Sequence, residues 1–319
     1  MTQVAGHVIP QTTIPAGTIT RTRHRLPSWT RIFLGGLALW VATVLVTFIT
    51  GNANLVPTII LIGSFLVPVT FVAYAFGRTD GIVTPQRVFA AFIYGGVLGV
   101  LGASILEAEF LREPSVLGYV GVGLVEEAVK LIALWLLARR LRRYTMRDGM
   151  VLGATVGFGF AAFESAGYAF NALFTNSGLS LLNVIETEAL RGILTPVGHG
   201  LWTAILGGAL FATAARARRG RPRLRASLLG WLVLVALLHA LWDASGGIAV
   251  WVPFLLTGTP TQWALIQLGR APDVTQTQVH LYTVVSWALL ALDAVLGLVI
   301  LRGRWRRATA PATAVGGGR

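Results

Sequence analysis

The run VLGYVGVGLVEEAVKLIALWLLA, Val116–Ala138, is almost wholly apolar, yet it holds Glu126, Glu127 and Lys130 in its middle. A soluble amphipathic helix would gather such charges on a solvated face. At 1.5 Å per residue the run is long enough to cross a hydrocarbon core of about 30 Å. It reads as a membrane span with charges near its midpoint. A charged group there costs roughly 2.5–3.5 kcal/mol on insertion scales, a cost offset when it faces a bundle interior or aqueous cavity and pairs.

The remainder of the 319 residues supports that reading. Hydrophobic residues make up 55% and charged residues 12%, and mean hydropathy is +0.70. The charged share is about half that of a soluble domain. Cysteine is absent, which excludes a disulfide framework, a thiolate metal site and a cysteine nucleophile. The net charge of +13 lies in short arginine runs between apolar stretches. It is therefore a topology signal, and no nucleic-acid partner is expected.

Eight spans are predicted: Ile32–Thr50, Leu55–Phe76, Val88–Leu106, Val116–Ala138, Met150–Phe170, Ile193–Ala214, Ala226–Val250 and Leu281–Leu301. Alternate connections are rich in arginine, from Arg21–Arg31 through Arg78 and Arg87, Arg139–Arg147 and Arg216–Arg225 to Arg302–Arg307. The opposite set has Arg112, Arg191 and Arg270 beside Glu107, Glu109, Glu113, Glu186, Glu188 and Asp273. The positive-inside bias then puts both termini in the cytoplasm and the chain in the plasma membrane, with arginines against anionic lipid. The domain plan is a flexible tail over 1–31, one polytopic membrane domain over 32–301 and a disordered basic tail over 302–319. Within the loop Asn171–Gly192, Leu182, Ile185 and Ala189 share one helical face, which predicts an interfacial helix.

The other ionisable residues inside spans are Glu164 in the fifth, His199 in the sixth, His239 and Asp243 in the seventh and Asp293 in the eighth. Counted from the outer ends, Glu126 and His239 lie about ten residues deep, roughly 15 Å, and Glu164 and His199 about six. Four spans thus bring polar groups into one layer. Glu126 and Lys130, spaced i,i+4, share a face and are expected to pair. The same spacing lets Asp243 support the imidazole of His239. Lys130 is the only lysine in the chain. Asp293 stands alone and is expected to bond a hydroxyl or line water, while Trp202 and Trp242 read as packing residues.

Two imidazoles with carboxylates have two good uses. They can ligate zinc, leaving a glutamate as base toward a bound water. Alternatively a glutamate activates water without metal while histidine stabilises the oxyanion. Both amount to amide hydrolysis within the membrane. No HExxH motif is present, so the ligands must come from several helices.

Four ordered motifs carry a family resemblance: EEAVK (Glu126, Glu127, Lys130), FAAFESAGY (Phe160, Glu164, Tyr168), HGLWT (His199) and HALWD (His239, Asp243). Over Leu117–Gly247 the chain resembles the PrsW family of intramembrane proteases, related to the CAAX-processing and bacteriocin-processing endopeptidases. The resemblance implies a membrane-embedded endopeptidase, usually described as a metalloprotease, that cleaves membrane proteins such as anti-sigma factors. It marks Glu126, Glu127, Glu164, His199, His239 and Asp243 as catalytic, with Lys130 and Tyr168 in support. His199, His239 and Glu164 are the expected zinc ligands. Where the CAAX-processing relatives have histidine and commonly asparagine, this chain has Glu164 and Asp243, adding negative charge that favours a bound cation or protonated carboxyls. The alternative to a protease is a proton- or metal-coupled transporter, since intramembrane Glu, His and Asp also build ion pathways. A non-catalytic membrane scaffold is a third reading.

Overall fold

The computed structural model describes residues 26–79, 81–111, 116–215, 220–223 and 225–309. The predicted N-terminal tail through Arg25, the Arg216–Arg219 cluster and the end of the C-terminal tail lie outside them. The described chain is helical apart from one small hairpin, β1 (Phe174–Thr175) with β2 (Gly178–Leu179). In order the helices are α1 (Ser28–Thr50), α2 (Val56–Phe76), α3 (Pro85–Ala90), α4 (Gly96–Phe110), α5 (Val116–Ala138) and α6 (Met146–Ala172). There follow α7 (Leu181–Leu194), α8 (His199–Ala215), α9 (Ala226–Thr257), α10 (Pro260–Gln267) and α11 (Gln276–Thr309).

Among the described residues, seven helical runs are long and apolar enough to cross a membrane. A π-helical stretch, Ala91–Gly95, joins α3 and α4 into one such run, Pro85–Phe110, and α7 with α8 forms another, Leu181–Ala214. Helix α5 spans 23 residues and differs from the seven by its three buried charges, Glu126, Glu127 and Lys130. On the perimeter Leu39, Ile49 and Leu255 are 63%, 81% and 71% exposed. They belong to a long series of exposed large apolar side chains, and apolar surface of that extent marks a face that meets an apolar medium. The chain is a multi-pass, all-α membrane protein.

Helix α6 is the centre. Of its most apolar stretch 83% is buried, against 6% for α1 and 11% for α11. Its partner is α8, and the approach is close because glycines recur every fourth residue. A Cβ at Gly149, Gly153 or Gly157 would overlap the carbonyl of Gly207, Thr203 or His199 respectively. Small residues at this spacing let helix backbones meet, which is how helices associate where lipid removes the hydrophobic drive. Gly123 does the same for α5 against the Ala236 carbonyl of α9, next to His239.

Helix α7 lies where an interfacial helix is expected, with Leu182 of the apolar stripe 58% exposed, while Val184 and Glu188 are its buried residues. Glu188 accepts from the Ser64 hydroxyl of α2 at 2.7 Å, and Gly63 leaves room for its carboxylate. The helix therefore docks on the bundle through a polar anchor that an apolar-period argument cannot see. At the other end, α11 runs through Arg302–Thr309, so these residues are helical where a disordered tail was expected. Asp293 is buried with neither oxygen hydrogen-bonded among the described residues, so the expected hydroxyl partner is not there.

Candidate active site

Three helices deliver the central groups. One turn of α5 presents Glu126, Glu127 and Lys130; α8 begins at His199 behind a 3₁₀ turn containing Pro196; α9 carries His239. The Lys130 ammonium sits among them. Its Nζ donates to Glu126 Oε2 and Glu127 Oε1, both at 2.9 Å, and lies 2.8 Å from His199 Nδ1. It also lies 3.7 Å from the centre of the Phe160 ring. The i,i+4 pair expected on α5 is present, and Glu127, one residue on, reaches the same ammonium.

An ammonium only donates. His199 Nδ1 is then the acceptor, and Nε2 carries the proton, which it gives to Glu164 Oε2 at 3.0 Å. His239 is arranged alike. Its Nδ1 is 3.2 Å from Glu127 Oε1, and its Nε2 is 3.4 Å from Asp243 Oδ2 and 3.7 Å from Glu126 Oε2. Each imidazole therefore turns Nδ1 toward the α5 cluster and has a carboxylate at Nε2, an arrangement that fixes ring orientation at metal-binding histidines. Trp202, fully buried, stacks on His239 with centroids 4.6 Å apart and meets His199 edge-on at 5.3 Å. It packs both rings, as expected.

The structure brings together Glu126, Glu127, Lys130, His199 and His239, with Glu164 and Asp243 one step further out. Glu164, an expected ligand, stands outside the group of four donor atoms that lie within 4.8 Å of one another. Its Oε2 faces Arg191 Nη2 at 2.5 Å as well as His199. Tyr168 is 52% exposed at the rim, with the Arg191 guanidinium 4.2 Å from its ring centre. Arg191 also donates through Nε to Ser165 Oγ at 2.7 Å. Sequence reasoning placed Arg191 in an outer loop. The available signal was one of only three arginines on the acidic side, two residues before a span beginning at Ile193.

A cavity of about 480 Å³ opens onto the cluster, and its walls include Glu107, Tyr119, Glu126, Glu164, Tyr168 and Asp243. Glu107, also read as a loop residue, lies on α4 and contributes to this wall.

Do these residues suit a divalent cation? One donor atom from each of Glu126, Glu127, His199 and His239 lies within 4.8 Å of the others. Imidazole and carboxylate are a ligand set for zinc-like ions. Glu127 Oε2 and His239 Nδ1 are buried with no hydrogen bond among the described residues, a state costly unless something compensates it. With every carboxyl ionised, Glu126, Glu127, Glu164 and Asp243 face only Lys130 and Arg191 as fixed cations, and a dication restores neutrality. The donor set fits.

A polytopic helical protein with a buried Glu–Lys–His cluster beside a cavity falls in the class of membrane-embedded hydrolases. The model of one such family, described as PrsW family intramembrane metalloprotease, matches residues 68–268. The chain belongs to this family and is a membrane-embedded endopeptidase. No curated protein and no solved structure matches it.

Proposed function

We propose that the chain hydrolyses a peptide bond of a membrane-protein substrate inside the bilayer, with Glu126 activating the attacking water. The observation that carries this assignment is the difference between the paired glutamates. Glu126 lines the cavity of about 480 Å³, whereas Glu127 is fully buried between Lys130 and His239. His199, His239 and Glu127 would hold a zinc ion. When bound, it supplies a Lewis acid toward water and the scissile carbonyl.

The chain's own residues do the rest. Glu126 takes a proton from water as the oxygen attacks the carbonyl carbon, then returns it to the departing amide nitrogen. Lys130 holds the two carboxylates at a fixed separation and balances their charge. Glu164 and Asp243 keep the imidazoles oriented through Nε2. Buried aromatic walls, Phe160 and Trp202, exclude bulk water and strengthen these interactions. We further assign eight spans, counting α5, with both termini cytoplasmic in the plasma membrane and a substrate of the anti-sigma-factor type.

Metal content and cleavage, measured together on purified protein, test the roles. Glu126→Gln should keep about one zinc per chain and lose cleavage of a transmembrane reporter by at least about a hundredfold, the scale of general-base catalysis. Glu127→Gln, His199→Ala and His239→Ala should lose the metal as well. Zinc lost with Glu126→Gln but kept with Glu127→Gln would exchange the roles. An active, metal-free wild type would leave catalysis to glutamate and imidazole alone.

A further inference from the structure

A second cavity lies at the far end of the bundle from the rim of the site. Its volume is about 400 Å³ and α2, α6, α8 and α11 wall it, a size in the range of small-molecule pockets. Its depth is apolar, with Phe71, Phe158, Ala204 and Leu298, and it reaches Gly200, the neighbour of His199. Its other end lies where α2 and α11 run out into arginine-rich sequence, and there it holds Tyr74, Arg78, Arg302 and Trp305. From Met150 to Phe158 the wall extends about 12 Å along α6.

The chemistry of the two ends differs. The Arg78 guanidinium lies over the Tyr74 ring, 3.5 Å from its centre, and donates one N–H to the Tyr74 carbonyl at 2.8 Å. Neither Arg78 nor Arg302 has a carboxylate partner among the described residues. Two guanidiniums with no carboxylate partner among the described residues, beside Tyr and Trp, suit a phosphate at headgroup level. The apolar wall continues inward at the depth of acyl chains.

We infer that this cavity binds an anionic phospholipid, with its phosphate on Arg78 and Arg302 and one acyl chain along Phe71, Phe158 and Leu298. A phospholipid supplies both an anion for the two arginines at the mouth and an unbranched apolar chain for the depth, and this complementarity chooses it over a peptide helix. The acyl chain fills the space behind the α6–α8 pair that carries Glu164 and His199. The site's rigidity is thereby tied to lipid composition. This inference does not depend on which glutamate is the base.

The test uses the full-length protein in nanodiscs of phosphatidylcholine with or without phosphatidylglycerol, released for native mass spectrometry. One phosphatidylglycerol should stay with each chain in preference to phosphatidylcholine. The double variant Arg78→Gln/Arg302→Gln should weaken that retention about tenfold or more, since each arginine near the surface contributes to anionic-lipid attraction. Ala75→Trp, which fills the rim, should abolish it. Equal retention of the two lipids, or retention unchanged in the double variant, overturns the proposal. So does a dimer that Ala75→Trp disrupts, since a second copy would then occupy the groove. The double variant alters side chains at the rim, so it decides the matter even where Ala75→Trp fails to fold.

Discussion

Arg191 lies outside all four motifs, yet its guanidinium bonds Glu164 and Ser165 and covers Tyr168. Through Glu164 it acts on the protonated nitrogen of His199, so its expected role is positioning. Arg191→Gln should lower kcat about tenfold or more, the scale for partners that orient a ligand histidine, with KM little changed. Arg191→Lys should restore part of the loss, because a lysine keeps the charge but not the fork that serves Glu164 and Ser165 together. A fall in thermal stability with no change in kcat per folded protein would make the residue structural only. The motif residues were legible because a charge inside an apolar run advertises itself. Arg191, Glu107 and Glu188 were not. They lie outside the predicted spans, in stretches whose mixed polarity makes a charge unremarkable, and only the packing of α4 and α7 in the bundle brings them inward.

At the scale of helices, the glycines of α6 determine where His199 stands. The carbonyl of His199 occupies the space a Cβ on Gly157 would take. Gly157→Ala should therefore push the start of α8 away from α6 and disturb the Lys130–His199 contact. Overpacking of this kind costs about 1–3 kcal/mol. A lower unfolding temperature in detergent, with a larger fractional loss of cleavage, is the expected result. Gly167, which has open space around it, serves as the control and should tolerate alanine. Equal behaviour of the two variants would remove the packing argument. Helix existence was easy to read from apolar runs, and α5 is bounded as its sequence predicts. The ends were harder. Helices α6, α9 and α11 extend past their predicted spans, since hydropathy locates the stretch that needs lipid and not the last hydrogen-bonded turn.

For the molecule as a whole, the unequal division of charge across the connections is the main argument for orientation. Arginines cluster at one end of the bundle, around Arg139–Arg147 and Arg302–Arg307, and acidic residues at the other. The orientation proposed from that asymmetry puts Ser177, at the β1–β2 turn, outside, and Arg142 within the cytoplasm. The absence of cysteine makes the test clean, because one introduced thiol is the sole target for a maleimide. In intact cells a membrane-impermeant maleimide should label Ser177→Cys and leave Arg142→Cys untouched until the membrane is opened. Both residues are exposed, so access to reagent depends on the side of the membrane and not on burial. The reverse pattern would invert the protein. The rim at Tyr168 and Arg191 lies toward the Ser177 end, so inversion would also turn the mouth of the site toward the cytoplasm. Labelling of both variants in intact cells would mean an odd number of crossings between residues 142 and 177 does not hold, and α6 could not then be a span.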